Sequence, residues 1–146
     1  MDLVGFFNTV TGDNLLFWKV VATTVVFALA GLEVFMAARF WGVSETPRIS
    51  VGAAAKIHRI NGRFTLPLAV LVAITCLVGP AGPTTPARVL FHSIFGTALF
   101  AVLAAKFLIL RVLHKGDRWL PHLGSSLFLL FAGLWGTSVF QYVTGG

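Results

Sequence analysis

Four histidines are the side chains of this sequence with the greatest capacity for chemistry: His58, His92, His114 and His122. They stand in a chain that is 57% hydrophobic and only 11% charged. An ionisable side chain is costly at membrane depth, so each histidine found there is a candidate functional residue. Imidazole is also the side chain that most readily binds a metal or a haem iron. The first question is therefore which of these histidines the fold can bring together.

The elements that must position them are four apolar stretches, each near the length of roughly 20 residues that crosses a bilayer. We predict helices over about residues 15–40, 55–79, 88–113 and 121–143. The mean hydropathy is +0.88, too high for a soluble domain of this size to bury its apolar surface in a core. Because the connections are short, consecutive helices should pack as antiparallel neighbours. The sequence thus predicts a single all-α domain, an integral membrane up-down-up-down four-helix bundle in contact with the lipid bilayer.

The basic residues predict the orientation of this bundle. Nine of the eleven Lys and Arg residues lie in or beside the first and third connections. The positive-inside rule places these two connections in the cytoplasm and both termini outside. The start of the chain lacks the basic region and cleavage site of a signal peptide, so we expect no removable leader. Topology accounts for the basic charge, so we expect no nucleic-acid partner.

The predicted depths separate the histidines into two groups. His58, His114 and His122 fall at the cytoplasmic end of the bundle, whereas His92 falls near the outer face. In a bundle of this topology the second and fourth helices are diagonal neighbours, so His58 and His122 can face each other across the axis. This arrangement would suit a haem whose iron takes one imidazole from each side.

The neighbours of His58 fit the same interpretation. Gly62 lies one turn further along the same helical face, where the absence of a side chain would let a porphyrin approach the backbone. Arg59 and Arg63 stand at the rim, where guanidinium groups bind carboxylates such as haem propionates. Close helix packing explains Gly62 equally well.

Each histidine also has a simpler interpretation. His58 and His114 have basic neighbours, and the simpler interpretation of each is a polar residue without a ligand at the level of the lipid headgroups. His122 is explained as a capping or water-bound residue in a first helical turn, and His92 as a buried, hydrogen-bonded histidine. A di-metal site is less favoured, because no ligand pairs occur at helical spacing as in di-metal bundles.

Three further residues within the predicted helices carry reactive groups. Glu33 and Lys106 fall at similar depths, and we predict an ion pair between them because either charge alone is costly in hydrocarbon. The alternative is a proton-exchanging pair beside a quinone pocket. Cys76 is the lone cysteine, which excludes an intrachain disulfide, and it is predicted to be a small buried hydrophobic residue.

The chain resembles small bacterial four-helix membrane proteins of the b-type cytochrome kind, broadly cytochrome b561-like. The resemblance lies in His58-Arg59-Ile60-Asn61-Gly62-Arg63, in His92-Ser93-Ile94-Phe95-Gly96, and in Lys106 and Leu120-Pro121. It implies haem b held between histidines of different helices, with His58 and His92 at the family-like positions. It also implies electron exchange with quinones or partner redox subunits, and a place in the bacterial inner membrane.

The chain departs from this pattern at the outer end of the bundle. Thr75 and Cys76 lie level with His92 on the second predicted helix, where a second imidazole would be needed. We therefore expect one haem at the cytoplasmic end and leave open a second, differently ligated haem outside.

The sequence predicts a membrane-embedded haem b electron-transfer protein, either a redox subunit or a quinone-linked carrier, with no autonomous catalytic site. The candidate cofactor-binding residues are His58, His122, His92, His114, Arg59, Arg63, Gly62 and Gly96, with His58 and His122 as iron ligands. The main alternative is a cofactor-free membrane anchor or structural subunit of a larger complex. A small transporter using Glu33 and Lys106 is less favoured, because four continuous helices leave little room for a substrate path.

Overall fold

The computed structural model describes residues 3–78, 85–113 and 119–144 of the chain. The helices in these ranges are α1 Leu3–Thr11, α2 Leu15–Phe40, α3 Val51–Val78, α4 Pro86–Leu108, α5 Leu120–Trp135 and α6 Gln141–Thr144. Two π-helical segments continue α4 and α5, at Ile109–Leu113 and Gly136–Phe140. Four helices are long and apolar enough to cross a membrane, which confirms the predicted all-α architecture of four spanning helices.

The structure differs from the sequence-based prediction in two places near the ends of helices, at α1 and at the start of α3. α1 was not predicted; it ends where Gly12 adopts a positive φ of 60°, a conformation that stops a helix. α3 begins at Val51, earlier than the predicted residue 55, because Ser50 caps it. The Ser50 hydroxyl accepts a hydrogen bond of 3.1 Å from the Ala53 amide. Pro67 lies inside α3, and the helix continues past it.

The long helices form a ring that is open on one side. α2 packs against α3 and α5, and α5 packs against α4. Across the part of the chain that is described, α3 and α4 make no packing contact of comparable extent. The prediction that these two consecutive helices pack against each other is therefore wrong. A cavity occupies the space between them. Since α3 and α5 lie on either side of α2, they keep the predicted diagonal relation.

Aromatic side chains join α2 to α5. The ring of Phe27 stacks on Phe128 and Trp135, with centroid distances of 5.4 and 5.2 Å. The Trp135 indole donates a hydrogen bond of 3.2 Å to the Thr24 hydroxyl. Stacked aromatic pairs contribute about 0.5–1.5 kcal/mol beyond their buried area, so this contact holds the two helices together.

A close approach of backbone and ring joins α4 to α5. A Cβ atom placed on Gly133 would lie 2.9 Å from the ring of Phe95, so only glycine fits there without a shift. Many large apolar side chains are exposed on the outside of the bundle, such as Leu129 with 67% of its surface exposed. Outward apolar faces are expected where the solvent of the helices is lipid.

Candidate functional site

His58 on α3 is bonded to Glu33 on α2. Its Nδ1 atom lies 2.5 Å from Oε2 of the Glu33 carboxylate and 3.0 Å from the backbone carbonyl oxygen of the same residue. A carbonyl oxygen can only accept a hydrogen bond, so Nδ1 carries a proton. In a neutral imidazole, this leaves the Nε2 lone pair available to a ligand.

Asn61 and Gly62 hold the Glu33 carboxylate in place. The Asn61 amide nitrogen donates to Oε1 of Glu33 at 2.7 Å and to the Leu29 carbonyl at 2.8 Å. Asn61 is buried, with 8% of its surface exposed. A Cβ atom on Gly62 would lie 3.6 Å from the carboxylate, an ordinary van der Waals distance, so the face of α3 at Gly62 packs beside Glu33. We call Glu33, His58 and Asn61 the polar cluster.

The polar cluster corrects the predicted partner of Glu33. His58 and Asn61, rather than Lys106, contact the carboxylate. Lys106 interacts with Glu33 only through longer-range electrostatic attraction. The physical reason is the helix arrangement: α3 packs directly on α2, whereas α4 lies across the bundle.

His92 on α4 is fixed in a similar way by the π-helical segment that follows α5. Its Nδ1 atom lies 3.0 Å from the Thr137 hydroxyl oxygen. That hydroxyl also lies 3.0 Å from the carbonyl oxygens of Gly133 and Leu134, which accept its proton. With its proton donated to a carbonyl, the Thr137 oxygen accepts from Nδ1, and in this tautomer of the neutral ring Nε2 of His92 keeps its lone pair. The Ser138 hydroxyl oxygen lies 3.5 Å from the same Nδ1.

Arg88, one turn before His92, strengthens this junction. Its Nε atom donates a hydrogen bond of 2.7 Å to the Thr137 carbonyl. The side chains of Arg88 and His92, both on α4, therefore contact the same residue, Thr137, in the Gly136–Phe140 segment. Single π-helical turns occur frequently at functional sites, because they redirect side chains and carbonyls that a regular helix would place elsewhere.

A cavity of about 510 Å³ lies beside His92, between the four long helices. Its polar lining includes Lys19, Cys76, Arg88, His92, Ser93, Thr97 and Ser138. The remaining wall is largely apolar and includes Val26, Leu99 and Phe131. Ligand and cofactor sites commonly measure ~300–1,000 Å³, with apolar walls and few polar groups, and this cavity has those properties.

The cavity changes the interpretation of two predicted residues. Cys76 is exposed on its wall, so the prediction of a buried hydrophobic role is wrong. Gly96 also lines the cavity, where a Cβ atom would meet Leu134 at 3.9 Å. Lys19 and Cys76 are close enough to interact electrostatically across it. Chemically, the cavity offers one imidazole, two cationic side chains and a thiol between largely apolar walls.

The other predicted site residues lie apart from this cavity. His122 is exposed near the start of α5, and no bond or ring contact joins it to His58 within the described ranges. Arg59 and Arg63 are also exposed. His114 lies outside the described residues. The pairing of His58 with His122 therefore stays a prediction.

Sequence reasoning missed the residues that orient the two imidazoles. Thr137 is a polar residue in a largely apolar stretch, which is the signal that could have found it, whereas Asn61 stands between Arg59 and Arg63 and carries no such signal. Among the residues that the structure describes, no group of three or more His, Cys, Asp or Glu side chains could hold a metal ion. A haem differs from such an ion because the porphyrin supplies four of its ligands.

Fold and site together define an all-α membrane protein with a hydrogen-bonded histidine at a cavity between its long helices. The chain belongs to the family DUF6529, described as a family of unknown function, whose model matches residues 4–145. No curated protein and no solved structure matches the chain.

Proposed function

We propose that the protein is a membrane-embedded haem b electron-transfer protein, acting as a redox subunit or a quinone-linked carrier. The observation that carries the proposal is the position of His92. Its imidazole lines a cavity of cofactor size, and the bond from Nδ1 to Thr137 reserves Nε2 for a ligand. Hydrogen bonds of this kind orient iron- and metal-ligating histidines and raise their basicity.

The rest of the cavity fits a haem b. His92 would supply a nitrogen ligand to the haem iron, and Lys19 and Arg88 would attract the propionates. Val26, Leu99 and Phe131 would exclude water from the porphyrin faces. When bound, haem would supply a one-electron iron couple, whose potential the protein sets through ligands, charge and burial.

The ligand set in the cavity differs from a pair of imidazoles. Its described wall contains His92 as the single histidine, with the Cys76 thiol also present. A haem held here would be the additional, differently ligated haem that the sequence leaves open at that end of the bundle. His58, with His122 as the predicted partner, supports a second haem at the opposite end. Two such groups would carry electrons across the membrane.

Cellular placement is part of the proposal. The resemblance implies the bacterial inner membrane, and the basic connections favour an orientation with both termini outside. The cavity would then lie in the outer half of the membrane and the polar cluster in the inner half. A quinone within the bilayer or a neighbouring redox subunit would exchange electrons with the haem.

The test is a reduced-minus-oxidised visible spectrum with a pyridine haemochrome assay on purified protein. We expect a b-type spectrum, and His92→Ala should lose the fraction of haem held in the cavity. Leu90→Ala is the matched control, because Leu90 lies on the same helix with 58% of its surface exposed. A colourless, folded wild-type protein made with ample haem would overturn the proposal and favour the cofactor-free anchor.

A further inference from the structure

The polar cluster has a feature that a simple helix contact does not require. Both hydrogen-bond partners of the His58 ring belong to Glu33, and both act on the same nitrogen, Nδ1. One partner is a carboxylate oxygen and the other is a backbone carbonyl oxygen. Two acceptors on one nitrogen keep the proton there in every neutral state of the ring.

The carboxylate is itself held from a second direction. Asn61 binds its other oxygen at 2.7 Å and is anchored to the Leu29 carbonyl at 2.8 Å. Phe40 packs edge-on against the His58 ring, with a centroid distance of 5.3 Å. These contacts restrain both the position of the His58 ring and the position of the proton on it. A preorganised metal ligand requires both.

We propose that Glu33 is a positioning residue that orients Nε2 of His58 to coordinate a transition-metal ion. In the proposed function, on which this inference rests, that ion is the iron of the second haem. The negative charge of Glu33 makes Nε2 a stronger electron donor through the ring. Asn61 keeps the carboxylate aligned, and Lys106 lies close enough to attract it.

A helix clamp alone would behave differently from a positioning residue. Clamping α2 to α3 needs the Asn61 bonds and any contact to Glu33, whatever the tautomer of His58. Positioning needs the proton on Nδ1 and the charge on Glu33. The tautomer and the haem potential therefore distinguish the two roles, whereas stability does not.

The first experiment measures the tautomer by ¹⁵N NMR of histidine-labelled, full-length protein produced without haem. His58 signals are assigned by their loss in His58→Gln. We expect a protonated Nδ1 and an unprotonated Nε2 in the wild type, and a smaller fraction of this tautomer in Glu33→Ala, which keeps only the backbone carbonyl as an acceptor. Glu45→Gln is the control, because Glu45 is exposed in the connection between α2 and α3. A wild-type His58 that carries a proton on Nε2 would overturn the inference.

The second experiment measures redox midpoints of the haem-loaded protein. Glu33→Gln keeps an acceptor for Nδ1–H but removes the negative charge, which disfavours the oxidised iron. The midpoint of the haem that is lost in His58→Ala should rise, and that of the haem lost in His92→Ala should not. Equal midpoints in Glu33→Gln and wild type would contradict a positioning role.

The two proposals fail in different ways. A fixed Nδ1–H tautomer in a protein that binds no haem would overturn the proposed function and leave the positioning of Nε2 standing. Mixed wild-type tautomers in a protein that does bind haem would overturn the positioning alone.

Discussion

His92 and Thr137 are joined by a bond of 3.0 Å from Nδ1 to the hydroxyl oxygen, which links α4 to the π-helical segment after α5. The backbone carbonyl oxygen of the same threonine accepts a hydrogen bond from Nε of Arg88. One residue thus fixes both the ring and the nearest cation of the cavity. This makes Thr137 a sensitive point for both stability and ligand geometry.

Replacing Thr137 with valine should keep the shape of the residue and remove the acceptor for His92. A net hydrogen bond contributes about 0.5–1.5 kcal/mol, so we expect a loss of stability of about 1 kcal/mol. The measurement is denaturant unfolding in detergent. Thr9→Val is the control, because the Thr9 hydroxyl bonds only within its own exposed helix, to the Gly5 carbonyl at 2.8 Å. Equal losses in the two variants would argue against a special role for Thr137.

Replacing Gly133 with alanine should force α4 and α5 apart. The added Cβ would lie 2.9 Å from the Phe95 ring, and overpacking of this kind costs about 1–3 kcal/mol. Gly124→Ala is the control on the same helix, where a Cβ meets nothing within 4 Å. Thermal unfolding should show a lower midpoint for Gly133→Ala only. Addition of Phe95→Leu should restore part of the loss by making room.

The predicted iron ligands at the other end are tested by removing them one at a time. His58→Ala and His122→Ala should each abolish low-spin haem at that end, since either change opens an axial position. His114→Ala should have a milder effect. Haem should be extractable in every case, because the chain has no Cys-x-x-Cys-His attachment motif. Loss of all haem in His92→Ala, with His122→Ala unaffected, would refute the diagonal pairing.

Membrane orientation is tested by reporter tags. Tags at both termini should report from outside, and a tag inserted within residues 43–50 should report from the cytoplasm, because basic residues flank that connection. A cytoplasmic C-terminus would reverse the proposed depths of His58 and His92. The internal geometry of the cavity and of the polar cluster would be unchanged by that result.

The sequence alone determined the parts of this protein that depend on local composition. Four apolar stretches predicted four spanning helices, because the length and hydropathy of a segment decide whether lipid is its better solvent. The sequence also predicted that His92 and Cys76 lie level, and both line the same cavity. Capping by Ser50 was readable too, although the predicted start of α3 missed it.

Only the tertiary structure decided which side chains meet. Glu33 has His58 rather than Lys106 as its partner. The contact depends on how α2 is rotated about its axis and packed on α3, and the hydropathy of a segment does not determine that rotation. The cavity beside His92 exists because α3 and α4 stay apart while α2 and α5 close. Such spacing is a property of all the helix faces together, so no single segment could predict it.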